Sequence, residues 1–152
     1  GGGAPFDVVV HACGSGGTAA GVALGAAAYE VAPEVRAFAV CDDRAYFEAT
    51  IARIVDEARA IEPSLSGMAR LVVDDSAKGP AYAVASPEQK ALVVTVARAS
   101  GLMLDPVYTG KAFFGLVEAL RRGELDRKRV LFLHTGGLPG LLAQASDFGD
   151  LV

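Results

Sequence analysis

An α/β fold in three layers, a mainly parallel sheet with helices on both faces, is predicted by three observations. Strand-like apolar runs at 8–10, 36–41 and 130–133 alternate with helix-like segments, the order that βαβ units require. The first and last runs, Val-Val-Val and Val-Leu-Phe-Leu, are continuous rather than alternating, as in strands buried on both faces. Both lead into glycine turns, Gly14-Ser15-Gly16-Gly17 and His134-Thr135-Gly136-Gly137, each followed by a helix-like segment.

Each element has a local reason. After the first turn, residues 18–29 are mostly alanine and leucine and favour a helix, and Pro33 separates it from the strand at 36–41. Asp43 suits the N-cap of a second helix. That helix carries Phe47, Ile51, Ile54, Val55, Ala58 and Ile61 on one 3.6-residue stripe and ends at Pro63. Residues 71–73 read as a short strand, and 74–85, with Gly79, Pro80 and Tyr82, as a loop. Ser86-Pro87-Glu88-Gln89 combines a Ser cap, Pro at the first helical position and Gln three residues after the cap. The helix it opens runs to about Ser100, where Gly101 stops it. Pro106 disfavours helix at Asp105, so 102–108 is irregular. A fourth helix from near Thr109 is expected to bury Phe113, Leu116, Val117 and Leu120, with Arg121 and Arg122 in its last turn and Gly123 as its stop. The run at 130–133 and a short helix from about Leu138 complete the alternation.

The 152 residues suit one domain, and 52% are hydrophobic, so a sizeable core can be buried. A net charge of −4, with no basic cluster larger than Arg127-Lys128-Arg129, argues against nucleic acid as the main partner. No apolar run reaches the roughly 18 residues that span a bilayer, and no signal-peptide pattern is visible, so no membrane partner and a cytoplasmic location are expected. Cys13 and Cys41 are too few for a disulfide framework and form no metal-spaced pair, so both read as small buried apolar residues. The chain opens Gly1-Gly2-Gly3 without Met and enters its first strand almost at once, which leads to the expectation of a fragment or processed product.

Ligands of parallel sheets bind at the carboxyl ends of the strands, and residues 13–18, 41–43 and 134–137 all fall there. A glycine turn that opens a helix presents free backbone N–H groups to a phosphate or another anion. Gly14-Ser15-Gly16-Gly17-Thr18-Ala19 also fits the G-x-G-x-x-A dinucleotide fingerprint, with Asp42 in the ribose position, so a dinucleotide and a purely structural turn both stay open here. A nucleophile elbow at Ser15 fails because Cys13 stands where G-x-S-x-G needs glycine. No phosphate-binding G-x-x-x-x-G-K-[ST] loop is present, and His11 and His134 have no metal-ligand spacing and read as hydrogen-bonded sheet residues.

A second stretch is more specific: Leu104-Asp105-Pro106-Val107-Tyr108-Thr109-Gly110-Lys111. With the loop at 14–18 and with Leu133-His134-Thr135-Gly136-Gly137, it resembles the pyridoxal-phosphate enzymes of the D-cysteine desulfhydrase and 1-aminocyclopropane-1-carboxylate deaminase family, of the tryptophan synthase β-like fold type II. The resemblance spans essentially the whole chain. It implies pyridoxal 5'-phosphate as cofactor, its phosphate held by Gly14, Ser15, Gly16, Gly17 and Thr18. It puts Tyr108 beside a small amino-acid substrate, as a carboxylate contact or a proton donor or acceptor, with Tyr82 as its partner across the site. In the deaminases a glutamate facing the pyridine nitrogen occupies the position of Thr109, and leucine that of Thr135. A threonine gives only a hydrogen bond to a mostly neutral ring, a weaker electron sink that suits loss of a good leaving group from the β-carbon better than cyclopropane opening. The two threonines therefore favour the desulfhydrase branch, with deaminase or sulfite-releasing cysteate lyase activity as alternatives.

The sequence departs from the family in one respect that bears on catalysis. The family's cofactor is held as a Schiff base by a lysine in a Gly- and Asn-containing segment near the N-terminus, and that lysine also accepts the α-proton. None of Lys78, Lys90, Lys111 and Lys128 lies in such a segment. The expectation is that residues 1–152 are the C-terminal part of the enzyme, mostly its large cofactor-binding domain, inactive without the N-terminal half and a homodimer when complete. Other classes are a dinucleotide-binding domain and a non-catalytic binding remnant. Ala85, where the family suggests proline, is a smaller departure near Tyr82.

Overall fold

The structure, a computed structural model, describes residues 3–149. Gly1 and Gly2, on which the expectation of a fragment partly rests, lie outside the described residues. Four parallel strands, β1 (Val8–Cys13), β2 (Glu34–Ala39), β3 (Arg70–Asp74) and β4 (Val130–Phe132), form one sheet in the order β3-β2-β1-β4. Helices α1 (Gly17–Ala28) and α2 (Arg44–Ile61) cover one face, and α3 (Pro87–Ser100) and α4 (Thr109–Arg121) lie on the other side. A short α5 (Leu138–Ala143) and a single 3-10 turn follow β4. The predicted three-layer α/β class is the observed one. Among the described residues, no helix is long and apolar enough to cross a membrane.

β1 lies between two neighbours, and all six of its residues are buried. Val8, Val10 and Ala12 face α4 together with Phe38 and Val40, whereas Cys13, Ala37 and Ala39 face α1 and α2. Burial of each large core side chain contributes about 1.5–3 kcal/mol, enough to fix the strand register. The caps act as read from sequence. Asp43 accepts from the N–H of Tyr46 at 2.9 Å, and Ser86 and Gln89 form a reciprocal capping box.

Four expectations are corrected. The second strand begins and ends two residues early, at Glu34 and Ala39, because Glu34 and Arg36 are buried within an ion-pair network with Arg70, Asp74, Glu124 and Lys128. β4 is not buried on both faces: it is an edge strand and only half-buried, with β1 as its single neighbour. Ile61, on the last turn of α2, is 85% exposed because the helix end runs past the sheet. On α4 the buried face is Ala112, Gly115, Leu116 and Ala119. Leu120 is exposed, and Phe113 and Val117 are half-buried. Gly115 sets that rotation, since any Cβ there would run into the ring of Phe38 on β2.

Candidate active site

Three turns meet at the carboxyl end of the sheet. The first, Gly14-Ser15-Gly16-Gly17-Thr18, leaves β1 and opens α1. Gly16 has φ 88°, in the left-handed region that favours glycine, and is the N-cap of α1. No side chain caps this helix and no acid sits in its first turn, so the N–H groups of Gly17 and Thr18 have no side-chain acceptor. Gly14, Ser15, Gly17 and Thr18 are exposed, and a Cβ on Gly17 would meet nothing within 4 Å. These are the features of an anion cup: convergent N–H donors, two hydroxyls, open space and the positive end of a helix.

The second turn is built around Asp105, which is 1% exposed. Its carboxylate accepts from the N–H groups of Val107, Tyr108 and Thr109, each at 2.8 Å, and from the Thr109 hydroxyl at 2.7 Å. The Thr109 Oγ1 in turn accepts from the Asp105 N–H at 2.9 Å. Asp105 thereby satisfies the N–H of Thr109, the first residue of α4, and those of the two residues before it, and fixes Tyr108 at the helix start. A Cβ on Gly14 would lie 2.8 Å from Cε1 of Tyr108, so the first turn packs directly against this tyrosine.

The third turn, 134–137, has Gly136 at φ 116° and Gly137 at φ 119°, and any Cβ on Gly137 would collide with the Asp105 carboxylate. The second and third turns enclose a cavity of about 360 Å³ lined by Asp105, Val107, Tyr108, Thr135, Gly136 and Gly137, among others. That volume is at the lower end for small-ligand sites. Tyr82 reaches the same place from the loop between β3 and α3. Its hydroxyl lies 2.6 Å from that of Tyr108, with the rings edge to face. The hydrogen bond between the two hydroxyls, which favours protonated Tyr108, and then burial, push the Tyr108 phenol up to about 12, so it keeps its proton far above neutral pH.

Of the residues selected from sequence, Tyr82, Tyr108, Thr135 and the 14–18 loop thus share one end of the sheet. Thr109 is 1% exposed and its single O–H is committed to Asp105. Thr135 is exposed, lines the cavity, and its hydroxyl has no hydrogen-bond partner among the described residues. Asp42 is exposed and receives a hydrogen bond from the Cys41 thiol at 3.3 Å. Cys13 is buried and its thiol is pushed up to about 11. Cys41, half-buried, is also raised, chiefly by burial, so neither is a ready thiolate. His11 is buried, with Nδ1 on the Ala12 carbonyl and its pKa lowered by burial. His134 places Nε2 on the Met103 carbonyl and accepts from the Gly136 N–H.

Two residues that sequence reasoning gave no site role are central. In the sequence Asp105 stands within the tyrosine motif and ahead of Pro106, and an Asp ahead of Pro is itself a turn signal. Lys111, one turn beyond Tyr108, is completely buried and donates to the carbonyls of Val40, Lys78 and Ala81. No sequence signal marks it, since lysine is almost never fully buried.

Comparison with known proteins gives consistent matches. Residues 2–136 match the family described as pyridoxal-phosphate dependent enzyme. The chain is 38% identical over 149 residues to the Bifunctional D-cysteine desulfhydrase/1-aminocyclopropane-1-carboxylate deaminase, mitochondrial, of Arabidopsis thaliana, covering 97% of this chain and 36% of that protein. It is 35% identical over 150 residues to D-cysteine desulfhydrase of Yersinia pestis, covering 91% of this chain and 42% of the relative. A solved structure titled as an ACC deaminase homologue superposes with a TM-score of 0.85 at 33% identity, over 97% of this chain and 44% of the other. The chain spans less than half the length of these relatives.

Proposed function

Because the chain belongs to the pyridoxal-phosphate-dependent enzymes, we propose that it is the C-terminal, cofactor-binding part of a lyase that eliminates the β-substituent of a small amino acid, D-cysteine above all. The observation that carries this reading is the convergence of three turns far apart in sequence, in which Gly14 packs on Tyr108 and Gly137 on Asp105. Family membership sets aside the dinucleotide reading of the same glycine loop.

The residues fit the cofactor. The uncapped start of α1 offers N–H donors and the hydroxyls of Ser15 and Thr18 to a phosphate dianion, with no acid in the first turn to repel it. Gly14, Ser15, Gly16, Gly17 and Thr18 would hold that phosphate. When bound, the cofactor supplies the electron sink for a carbanion at the substrate's α-carbon. Thr135, whose hydroxyl has no hydrogen-bond partner among the described residues, would hydrogen-bond the ring nitrogen, and Thr109 would shape the tyrosine turn from behind through Asp105. Neither threonine protonates the ring fully. That favours loss of a good leaving group such as sulfide over cyclopropane opening.

Tyr108 holds its proton up to about pH 12, so at neutral pH it is a donor to the substrate carboxylate or to the departing group. Tyr82, hydrogen-bonded to it, orients that donor and is 57% exposed toward incoming substrate. The overall reaction converts the amino acid and water into a keto acid, ammonia and sulfide. Of the chain's own lysines, Lys90 is paired with Asp147, Lys128 with Glu34, Lys111 is enclosed by carbonyls, and Lys78, in the Tyr82 loop, stands in no Gly- and Asn-containing segment of the family's kind. The α-proton acceptor therefore comes, in this reading, from the N-terminal half of a longer cytoplasmic, homodimeric enzyme, and residues 1–152 alone are inactive.

The complete protein, supplied with pyridoxal phosphate, is expected to release sulfide from D-cysteine faster than ammonia from 1-aminocyclopropane-1-carboxylate or sulfite from cysteate. Preferential turnover of either alternative overturns the desulfhydrase assignment. For the chain alone, incubation with pyridoxal phosphate and borohydride should leave no covalent adduct. A stable adduct mapped to one lysine refutes its incompleteness.

A further inference from the structure

Lys111 has no exposed surface, yet among the described residues no carboxylate lies within ion-pair distance of its ammonium. An ammonium has three donors, and here each goes to a main-chain carbonyl: Lys78 at 2.7 Å, Ala81 at 2.8 Å and Val40 at 3.1 Å. A buried charge is costly unless fully hydrogen-bonded, so this arrangement is a demanding one to maintain. Val40 lies just past the end of β2, and Lys78 and Ala81 belong to the loop that carries Tyr82. Gly79, at φ 75°, lets that loop fold over the tip of the side chain. A Cβ there would lie 3.4 Å from Cε of Lys111. The loop is also tied by Gln89 Nε2, which donates to the Ala77 carbonyl at 2.7 Å, by Gln144 Nε2 to the Ala83 carbonyl at 3.4 Å and by the Arg44 N–H to the Asp75 carboxylate at 3.0 Å, and within it the Val84 N–H donates to Ala81 at 3.2 Å.

We propose that Lys111 is a positioning residue whose ammonium serves as a fixed cation. The carbonyls of Val40, Lys78 and Ala81 are wrapped around it, and this holds Tyr82 in reach of Tyr108. Tyr108 opens the helix that carries Lys111, and Tyr82 follows Ala81 directly, so one side chain joins the two segments that bear the tyrosine pair. The three carbonyls form a cage for a small monovalent cation, and potassium or ammonium is the ligand class that enters it when the side chain is cut back. The catalytic meaning of this clip rests on the proposed roles of the two tyrosines. The clip itself is tested without cofactor or substrate.

The test uses the chain as it stands, at neutral pH. The protein has no Trp and four Tyr, so near-ultraviolet circular dichroism reads tyrosine packing directly. Tyr82→Phe defines the signal of the pair. Lys111→Ala is expected to lose that signal, and potassium or ammonium chloride to restore it. Tetramethylammonium chloride, too large for contacts of 2.7–3.1 Å, is expected to leave it lost. Lys111→Met, whose side chain fills the cage without charge, is expected to lose the signal and not to be rescued by any salt. An unchanged signal in Lys111→Ala, equal rescue by all three salts, or a normal signal in Lys111→Met overturns the proposal. If both variants fail to fold, the wild-type chain labelled with ¹⁵N-lysine decides. One hydrogen-bonded ammonium resonance, protected from exchange and assigned to Lys111, supports the clip, and its absence refutes it.

Discussion

The hydroxyls of Tyr82 and Tyr108 lie 2.6 Å apart, although 26 residues separate them and one sits on a loop, the other at the start of a helix. Tyr108 is pushed up to about 12, against 10.0 for an ordinary phenol, first because of its hydrogen bond with Tyr82 and then because of burial. The folded state thus keeps a proton that the unfolded chain gives up. The contribution of Tyr108 to stability is complete below pH about 10 and is lost as the pH rises toward about 12. Urea unfolding of wild type and Tyr108→Phe across that window should show the wild type losing the greater stability. Parallel curves for the two proteins would contradict the coupling.

Gly14 and Gly17 should respond in opposite ways to a methyl group. In Gly14→Ala the new Cβ meets the Tyr108 ring at 2.8 Å, so the ring must move. A cost of about 1–3 kcal/mol and a changed tyrosine circular-dichroism signal are expected. In Gly17→Ala the Cβ meets nothing within 4 Å, so thermal stability should be kept or raised while the methyl narrows the anion cup. A lower melting temperature for Gly17→Ala than for Gly14→Ala would be incompatible with this packing.

Asp105 holds three N–H groups and one hydroxyl. Asp105→Ala strands buried donors at about 1–3 kcal/mol each, so a loss of about 3 kcal/mol or more is expected. Asp105→Asn retains one acceptor oxygen and should fall between that variant and wild type. Equilibrium unfolding orders the three proteins, and equal stability of Ala and Asn variants would show that the hydrogen bonds are not what Asp105 contributes.

The uncapped start of α1 predicts selective ligand stabilisation. Pyridoxal phosphate should raise the unfolding temperature of the chain, and a hundredfold excess over its dissociation constant corresponds to about 2.7 kcal/mol. Thr18→Val, which removes a hydroxyl from the cup, should weaken the effect. A nicotinamide dinucleotide should give a smaller shift than pyridoxal phosphate at equal concentration, and the reverse order would restore the dinucleotide reading of 14–19.

Much of the fold is legible locally. Continuous valines, the Asp43 cap, the box at Ser86 and Gln89, and Gly101 at φ 75° each act through neighbours within a few residues, and each sits where the sequence puts it. Errors arise where the sheet's lateral order matters. An apolar run reads alike at the centre and the edge of a sheet, so β4 looks fully buried in sequence and is half-buried in the fold. The stripe on α4 is right in period and wrong in phase, because the approach of Gly115 to Phe38 turns the helix.

The sequence by itself determined the strand, turn and helix units, the glycines that present N–H groups, and the family to which three separated motifs belong. Those features depend on short-range sterics and capping, which residue types encode directly. The tertiary structure alone decided that Thr109 turns inward to Asp105 while Thr135 lines the cavity, and that a fully buried lysine ties the Tyr82 loop to the residue just past the end of β2. Each depends on carbonyls and carboxylates delivered from segments tens of residues away, and only the packed sheet and helices bring those together.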